Sequence, residues 1–200
     1  MPLIASDIHF ARNLAPVLRG VSLQVESGQL LQVTGANGCG KTSLLKILCG
    51  LITPDRGEVR WNDSSIWRLA SGYRAQIAYV GHKDGIAGDL TPLENLEFAA
   101  AIAGEPAADV QPALRKWGLD RQDRPCRLLS AGQRRRLALA RLELLPAKLW
   151  ILDEPLTVLD EAGKQLLGES IEQHTTDGGC AIMATHQQPG WQMASFSLAL

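Results

Sequence analysis

The 200-residue chain has no excess of either charge. It carries 20 Lys and Arg against 21 Asp and Glu, a formal net charge of −1. No global basic field therefore draws it to nucleic acid or to anionic lipid. Long apolar runs are also missing. The longest strongly apolar stretches, such as 96–104, fall well short of the ~18 residues that a membrane span needs. No basic region followed by an apolar run stands at the N-terminus, so no signal peptide is expected and the chain is expected to stay in the cytoplasm. Cysteine is sparse. Cys39, Cys49, Cys126 and Cys180 form no C-x-x-C pair and have no His at zinc spacing, so they are expected to be reduced and mostly buried. There are no repeats, low-complexity tracts or long linkers. The length suits one core with a smaller lobe attached.

What is present centres on residues 30–48, LLQVTGANGCGKTSLLKIL. A short apolar run leads into Gly35-Ala36-Asn37-Gly38-Cys39-Gly40-Lys41-Thr42, and Ser43 opens a helical pattern with Leu44, Leu45, Ile47 and Leu48 on its apolar side. This is G-x-x-x-x-G-K-[ST] between a strand and a helix, the context that gives the motif meaning. Glycines let the backbone curl so that successive N–H groups point at phosphate oxygens. The helix starting near Gly40 adds its partial positive charge. Lys41 is expected to reach the β- and γ-phosphates, and the Thr42 hydroxyl to ligate Mg²⁺. Cys39 lies inside the loop, where alkylation or oxidation could block nucleotide.

Along the chain, 4–10 and 21–25 alternate as half-buried antiparallel strands do. Gly50 suits the position after helix 41–49. Strands are expected at 58–61 and 77–80. From 82 to about 146 the composition turns to Ala, Leu, Glu and Arg. Thr91-Pro92-Leu93-Glu94 reads as an N-cap, a first-turn proline and an early acid. Helices are expected at 112–117 and 131–145. Residues 149–152 and 181–184 are nearly all apolar, as central parallel strands are. Helix 160–174 joins them, with a last strand at 195–200. The expected class is α/β: a core of about 1–82 and 147–200, with about 83–146 inserted as a helical lobe. Trp150 is expected in the core, and Trp67 and Trp117 at the lobe surface or against a partner. Arg134, Arg135, Arg136 and Arg141 crowd one helix without the continuous basic face or aromatic platforms that nucleic acid needs. They are expected to form a solvated face.

The strand 149–152 runs into Asp153-Glu154. Ligands of open parallel sheets sit off the carboxyl ends of the strands, which puts Asp153 near Mg²⁺, through water, and makes Glu154 the candidate to polarise an attacking water. Alternate strand residues point to opposite sides, so the two acids need not share one role. Leu129-Ser130-Ala131-Gly132-Gln133 opens a helix 20 residues before Leu149. Ser130 is either a simple N-cap or, with the Gly132 N–H, a second phosphate-binding surface. A nucleotide already wrapped by 35–42 leaves that surface little room within one chain.

These stretches, in this order, resemble the ATP-binding cassette (ABC) family of transporter ATP-binding domains over the whole chain. Residues 35–42 resemble its Walker A loop, 129–133 its LSGGQ signature with Ala131 replacing a glycine, and 149–154 its Walker B strand with catalytic glutamate. Leu159-Asp160 resembles the D-loop and Thr185-His186 the H-loop, whose imidazole contacts the γ-phosphate. The resemblance implies a P-loop NTPase fold with a RecA-like parallel-sheet core and N-terminal antiparallel strands. It also implies ATP and Mg²⁺ as cofactors, and a head-to-tail homodimer in which the signature of one subunit closes over ATP held by the other.

Two departures stand out. The family places a Gln after strand 77–80 where this chain has Gly81-His82, so His82 serves water or coupling, or is simply an exposed loop histidine. The family also expects an adenine-stacking aromatic near position 12, where Arg12 stands with Phe10 two residues earlier, and either plane could stack. The Gly-His pair, Leu90-Thr91-Pro92-Leu93-Glu94-Asn95-Leu96 and Thr185-His186-Gln187 resemble the ATP-binding subunits of Ccm-type cytochrome c maturation systems. That resemblance implies small integral membrane subunits as partners and a peripheral place on the cytoplasmic face of the bacterial inner membrane. The activity implied is ATP hydrolysis that drives haem export or release of a haem-loaded chaperone. The alternatives are the ATPase of another small exporter, or a non-hydrolysing nucleotide switch.

Overall fold

The computed structural model describes residues 2–105, 108–187, 191 and 195–200. The chain opens with two antiparallel strands, β1 (Leu3–Arg12) and β2 (Ala15–Val25), followed by β3 (Leu30–Thr34) and helix α1 (Lys41–Leu48). Next come β4 (Arg56–Trp61), the short β5 (Ser64–Ser65), two single-turn helices α2 (Ile66–Leu69) and α3 (Ser71–Arg74), and β6 (Ile77–Val80). Helices α4 (Pro92–Ile102), α5 (Gln111–Lys116) and α6 (Ala131–Ala140) intervene before β7 (Leu149–Asp153). Helix α7 (Glu161–Thr176) then joins β7 to β8 (Cys180–Ala184), and β9 (Ser195–Ala199) closes the order. One sheet has the order β2-β1-β4-β5, the other β6-β7-β8-β3-β9. Every pairing in the second is parallel.

That parallel sheet is a wall between two hydrophobic cores, and the alternation of strand side chains decides which residue faces which. Leu31, Val33, Leu149, Ile151, Cys180 and Ile182 pack on one side with α1 and the antiparallel strands. Leu30, Trp150, Leu152, Ala181 and Met183 pack on the other, with α7 and helices α4 to α6. Leu44, Leu45, Ile47 and Leu48 of α1 are completely buried, each contributing about 1.5–3 kcal/mol by removal from water. The Tyr73 hydroxyl donates to the Leu48 carbonyl at 2.6 Å, tying α3 to the end of α1. Gly57 has φ +96°, and a Cβ there would stand 2.4 Å from the Asp7 carbonyl oxygen. Only glycine lets β4 pass β1 at this bulge.

Local signals explain most boundaries. Thr91 caps α4 in a full capping box with Glu94, with Pro92 at the first position. Gly50 takes φ +69° after α1. Residues 131–145 are not one helix, however. The α-helix ends at Ala140 and tightens to a 3₁₀ turn over Arg141–Leu144. Trp117 is not at the lobe surface but fully buried, and Trp67 packs partly buried against the α1-side core. Cys49, Cys126 and Cys180 are buried free thiols and Cys39 is partly exposed.

Candidate functional site

Sheet register assembles the site. Val33 of β3 and Asp153 of β7 both stand level with Ala184 of β8. The chain therefore leaves all three strands in one row, carrying Gly35, Glu154 and His186 to the same edge. Two backbone bonds fasten that edge: Thr185 N–H donates to the Val33 carbonyl at 3.1 Å and Glu154 N–H to the Ala184 carbonyl at 2.9 Å.

The loop 35–40 curls through glycines at positive φ. A Cβ at Gly40 (φ +112°) would meet Leu18 and Val17 at 2.8 and 2.9 Å, so the approach is closed to any other residue. Gly40 is the N-cap of α1 and supplies no side-chain acceptor, and no acid lies in the first turn. The first N–H groups of α1 are thus left for an anion. Lys41, only 6% exposed, bends back over the loop. Its Nζ donates to the Gly35 and Ala36 carbonyls at 2.8 and 3.1 Å and lies 3.8 Å from Glu154 Oε1.

Thr42 Oγ1 donates to Asp153 Oδ2 at 2.8 Å. The other carboxylate oxygen, Asp153 Oδ1, is buried without a partner. A buried charged oxygen left unpaired is costly, and a hard divalent cation with its water shell is the kind of group that would satisfy it. The donor set of one hydroxyl and one carboxylate therefore fits Mg²⁺ held beside substrate phosphates.

Glu154 sits one residue beyond β7 at φ +49°, a sparsely populated conformation for a non-glycine residue. This turn lifts its carboxylate out of the sheet row and over the loop. His186 Nδ1 lies 2.8 Å from Glu154 Oε2. An ionised carboxylate only accepts hydrogen bonds, so Nδ1 carries the proton toward it.

Gly40, Lys41, Thr42, Glu154 and His186 line a cleft of about 710 Å³ that also meets Arg12, Val17, Asn37, Gly38, Ser43, Lys46, His82 and Thr157, while Asp153 is buried beside Thr42. Arg12 is exposed on its wall, whereas Phe10 packs against the core between the sheets. Of the two planes near position 12, the guanidinium is the one available to stack. A larger cavity of about 820 Å³ lies elsewhere, beside β6 and α4, with exposed Phe98 and Ile102 on its lining. It has none of the phosphate-loop or acidic residues.

Ser130, Gly132, Gln133 and Asp160, all expected among the ligands, do not line the cleft. Ser130 caps α6: its Oγ accepts from Gln133 N–H at 3.1 Å, and Gln133 Oε1 accepts from Ser130 N–H at 2.9 Å. Gly132 follows in the same turn, and a Cβ there would stand 3.0 Å from the Val158 carbonyl. Asp160 caps α7 through Gly163 N–H at 3.0 Å and pairs with Arg136 at 2.6 Å. That guanidinium holds its carboxyl below the usual range.

The arginines do not form a solvated face. Arg134 donates to the Leu129 carbonyl, Arg136 to Asp160, and Arg141 to the carbonyls of Gly85 and Asp84. Arg135 is 2% exposed. Its guanidinium binds the carbonyls of Gly81, Asp153, Glu154 and Pro155 and the Asp84 carboxylate. A signal for this was available. Arg135 precedes the buried Ala138, Leu139 and Leu142 by three, four and seven residues, which is the inner stripe of a helix.

Comparison with known proteins agrees with this geometry. The sequence profile described as ABC transporter matches residues 18–157, more than half of the chain. The chain is similar to the cytochrome c biogenesis ATP-binding export protein CcmA 2 of Cupriavidus metallidurans, at 45% identity over 98% of this chain and 95% of that protein. It is similar to the protein named CcmA of Nitrosomonas europaea at 46% identity, over 93% and 89%. In fold it matches an ABC transporter ATP-binding protein described as putative, from Pyrococcus furiosus, with TM-score 0.86 at 23% identity, covering 100% of this chain and 98% of the other. A dimeric ATP-binding cassette in a post-hydrolysis state, bound to ADP and Pi, matches with TM-score 0.81 at 22% identity, covering 92% and 88%.

Proposed function

The chain belongs to the ABC transporter ATP-binding family, and on that premise we propose that it is the ATP-hydrolysing subunit that powers the haem export or chaperone-release step of cytochrome c maturation. The observation that carries the hydrolytic part is the Glu154 carboxylate, set between His186 Nδ1 at 2.8 Å and Lys41 Nζ at 3.8 Å over the phosphate loop. A module that only binds nucleotide needs the loop but not this base.

In the proposed reaction the N–H groups of 35–42 and Lys41 hold the β- and γ-phosphates, and Arg12 stacks on the base. Thr42 and Asp153 would hold Mg²⁺, which would supply positive charge to offset that of the phosphate oxygens. Glu154 orients a water in line with the γ-phosphorus and takes its proton as the new P–O bond forms and the bond to ADP breaks. His186 keeps the carboxylate aimed through its Nδ1–H. In this reading only a second copy brings Ser130, Gly132, Gln133 and Asp160 to this cleft, because none of them lines the cleft of its own chain. The proposed homodimer thus holds composite ATP sites.

Among the described residues no helix is long and apolar enough to cross a membrane. In the proposed assembly the partners are separate small integral membrane subunits, met at the cytoplasmic face of the inner membrane, and His82 couples the cleft to them. The relatives named for cytochrome c biogenesis, matched over nearly the whole chain, support this assignment. The test is turnover by Glu154→Gln. We expect ATP binding to persist and hydrolysis to fall by about 10²–10⁴-fold, the usual contribution of a positioned base. Unchanged turnover would remove Glu154 from the mechanism. Co-purification of the wild type from membranes should bring down small membrane subunits, and their absence would overturn the partner assignment.

A further inference from the structure

We infer that Arg135 is a positioning residue for hydrolysis, holding the Glu154 turn and the His82 loop in register from the helix that begins at Ser130. The inference rests on the reading of Glu154 as the base.

A guanidinium has five N–H groups, and here each has an acceptor. Nε donates to the Pro155 carbonyl at 3.3 Å. Nη1 donates to the Gly81 carbonyl at 2.8 Å and to Asp84 Oδ1 at 3.2 Å. Nη2 donates to the Asp153 and Glu154 carbonyls at 2.9 and 2.8 Å. Three of these acceptors are consecutive carbonyls of the turn in which Glu154 is held at φ +49°. A strained turn persists only when its surroundings over-determine it, and this fork supplies three of the restraints. A fourth bond falls on Gly81, immediately before His82.

The charge is the second half of the argument. Arg135 is 2% exposed and its one anionic partner is Asp84, itself partly exposed. A cation buried mainly among neutral carbonyls is expensive unless its fork is fully used. A merely structural helix position on this inner stripe calls for leucine. The cation serves instead to gather carbonyls from two loops that otherwise repel one another.

The placement also links two sites. Ser130, five residues earlier at the start of the same helix, is exposed and does not line this chain's cleft, while Arg135 grips the turn that carries the base. A tilt of α6 as a second copy docks on Ser130 moves the fork, and with it the Glu154 backbone. Arg141, six residues further on at the start of the 3₁₀ turn, adds bonds to the Gly85 and Asp84 carbonyls, so the 81–85 loop travels with the helix.

The experiment measures ATP affinity, KM and kcat of the full chain in its membrane complex for Arg135→Gln and Arg135→Lys, with Glu154→Gln in parallel. Arg135→Gln should keep ATP affinity and KM within about twofold and lose at least tenfold in kcat. Arg135→Lys keeps the charge but not the fork, and should recover part of kcat without changing KM. A kcat within twofold of wild type for both variants overturns the inference. So does a parallel loss of affinity and kcat, or aggregation of both variants, since each assigns Arg135 to the fold alone. If Glu154→Gln still turns over, it is the reading of the base that fails. If Glu154→Gln is dead while both Arg135 variants are normal, only the present inference fails.

Discussion

Ser130 has a capping role visible within one chain and, in the proposed dimer, a second role on the partner's nucleotide, and the two can be separated. Its hydroxyl accepts from Gln133 N–H at 3.1 Å, and Gln133 returns a bond to the Ser130 N–H at 2.9 Å. Thr91 makes the same box at the start of α4, with Glu94 N–H at 3.2 Å and a return bond at 2.7 Å. Only Ser130 is assigned a phosphate. Removing the Ser130 cap in Ser130→Ala costs about 1 kcal/mol of helix stability, or a fall of about 2–4 °C in the thermal midpoint for a chain of this length. Thr91→Ala should fall by a similar amount. Turnover should part them. A hydroxyl bonded to a charged phosphate contributes about 1.5–3 kcal/mol, so Ser130→Ala should lose about 10- to 150-fold in kcat/KM. Thr91→Ala should stay within twofold at a temperature where both are folded. Circular dichroism melting and phosphate release read the two effects on the same samples. Equal losses of turnover, or none in either, would refute the composite site and leave Ser130 as a cap.

Two further outcomes test the packing. His174 stacks on Trp150 at 4.0 Å and 8°, and burial lowers its pKa below the ordinary value. The unfolded chain then takes up a proton near pH ~6.5 that the folded chain refuses, so stability is full above that pH and is lost as pH falls from ~6.5 toward the folded value. His174→Phe keeps the stack and should flatten the midpoint-against-pH curve between about 7 and 5; an unchanged slope would show that another group sets it. Gly57→Ala meets both a positive φ and a carbonyl oxygen 2.4 Å from the new Cβ. The dihedral alone costs about 1–2 kcal/mol, and Gly104→Ala (φ +90° with open space) isolates that part. Gly57→Ala should therefore melt well below Gly104→Ala, and equal midpoints would show that the β1–β4 approach is not tight.

Several features were legible because they are local. The phosphate loop depends on glycines at fixed spacing, α4 on its Thr-Pro-x-Glu start, and the central strands on unbroken apolar runs. Of the arginine cluster, only the inward place of Arg135 on its helical stripe was legible, and not what the guanidinium groups bind. Arg134, Arg135, Arg136 and Arg141 read as a solvated face because charge is usually exposed, and their carbonyl acceptors lie up to 57 residues away in sequence. Trp117 was misread for the same reason: its burial comes from helices packing around it, and no neighbour in sequence reports that. That Arg12 and not Phe10 lines the cleft also needed β1 in place, since residues two apart share a face by simple alternation and here a register shift after Phe10 lies between them.

The sequence by itself determined the glycine-rich loop at 35–42 and the acidic strand end at Asp153-Glu154, the residues to which phosphates, metal and water are assigned in the proposed function. Each is a short-range pattern whose chemistry is fixed by neighbouring backbone. Tertiary structure alone decided which strand ends share a level, so that Asp153 meets Thr42 and Glu154 meets His186. It alone decided that the helix beginning at Ser130 reaches back through Arg135 to the turn holding Glu154. Those pairings depend on sheet register and on the burial of a charge among distant carbonyls, and both arise only when the whole chain is packed.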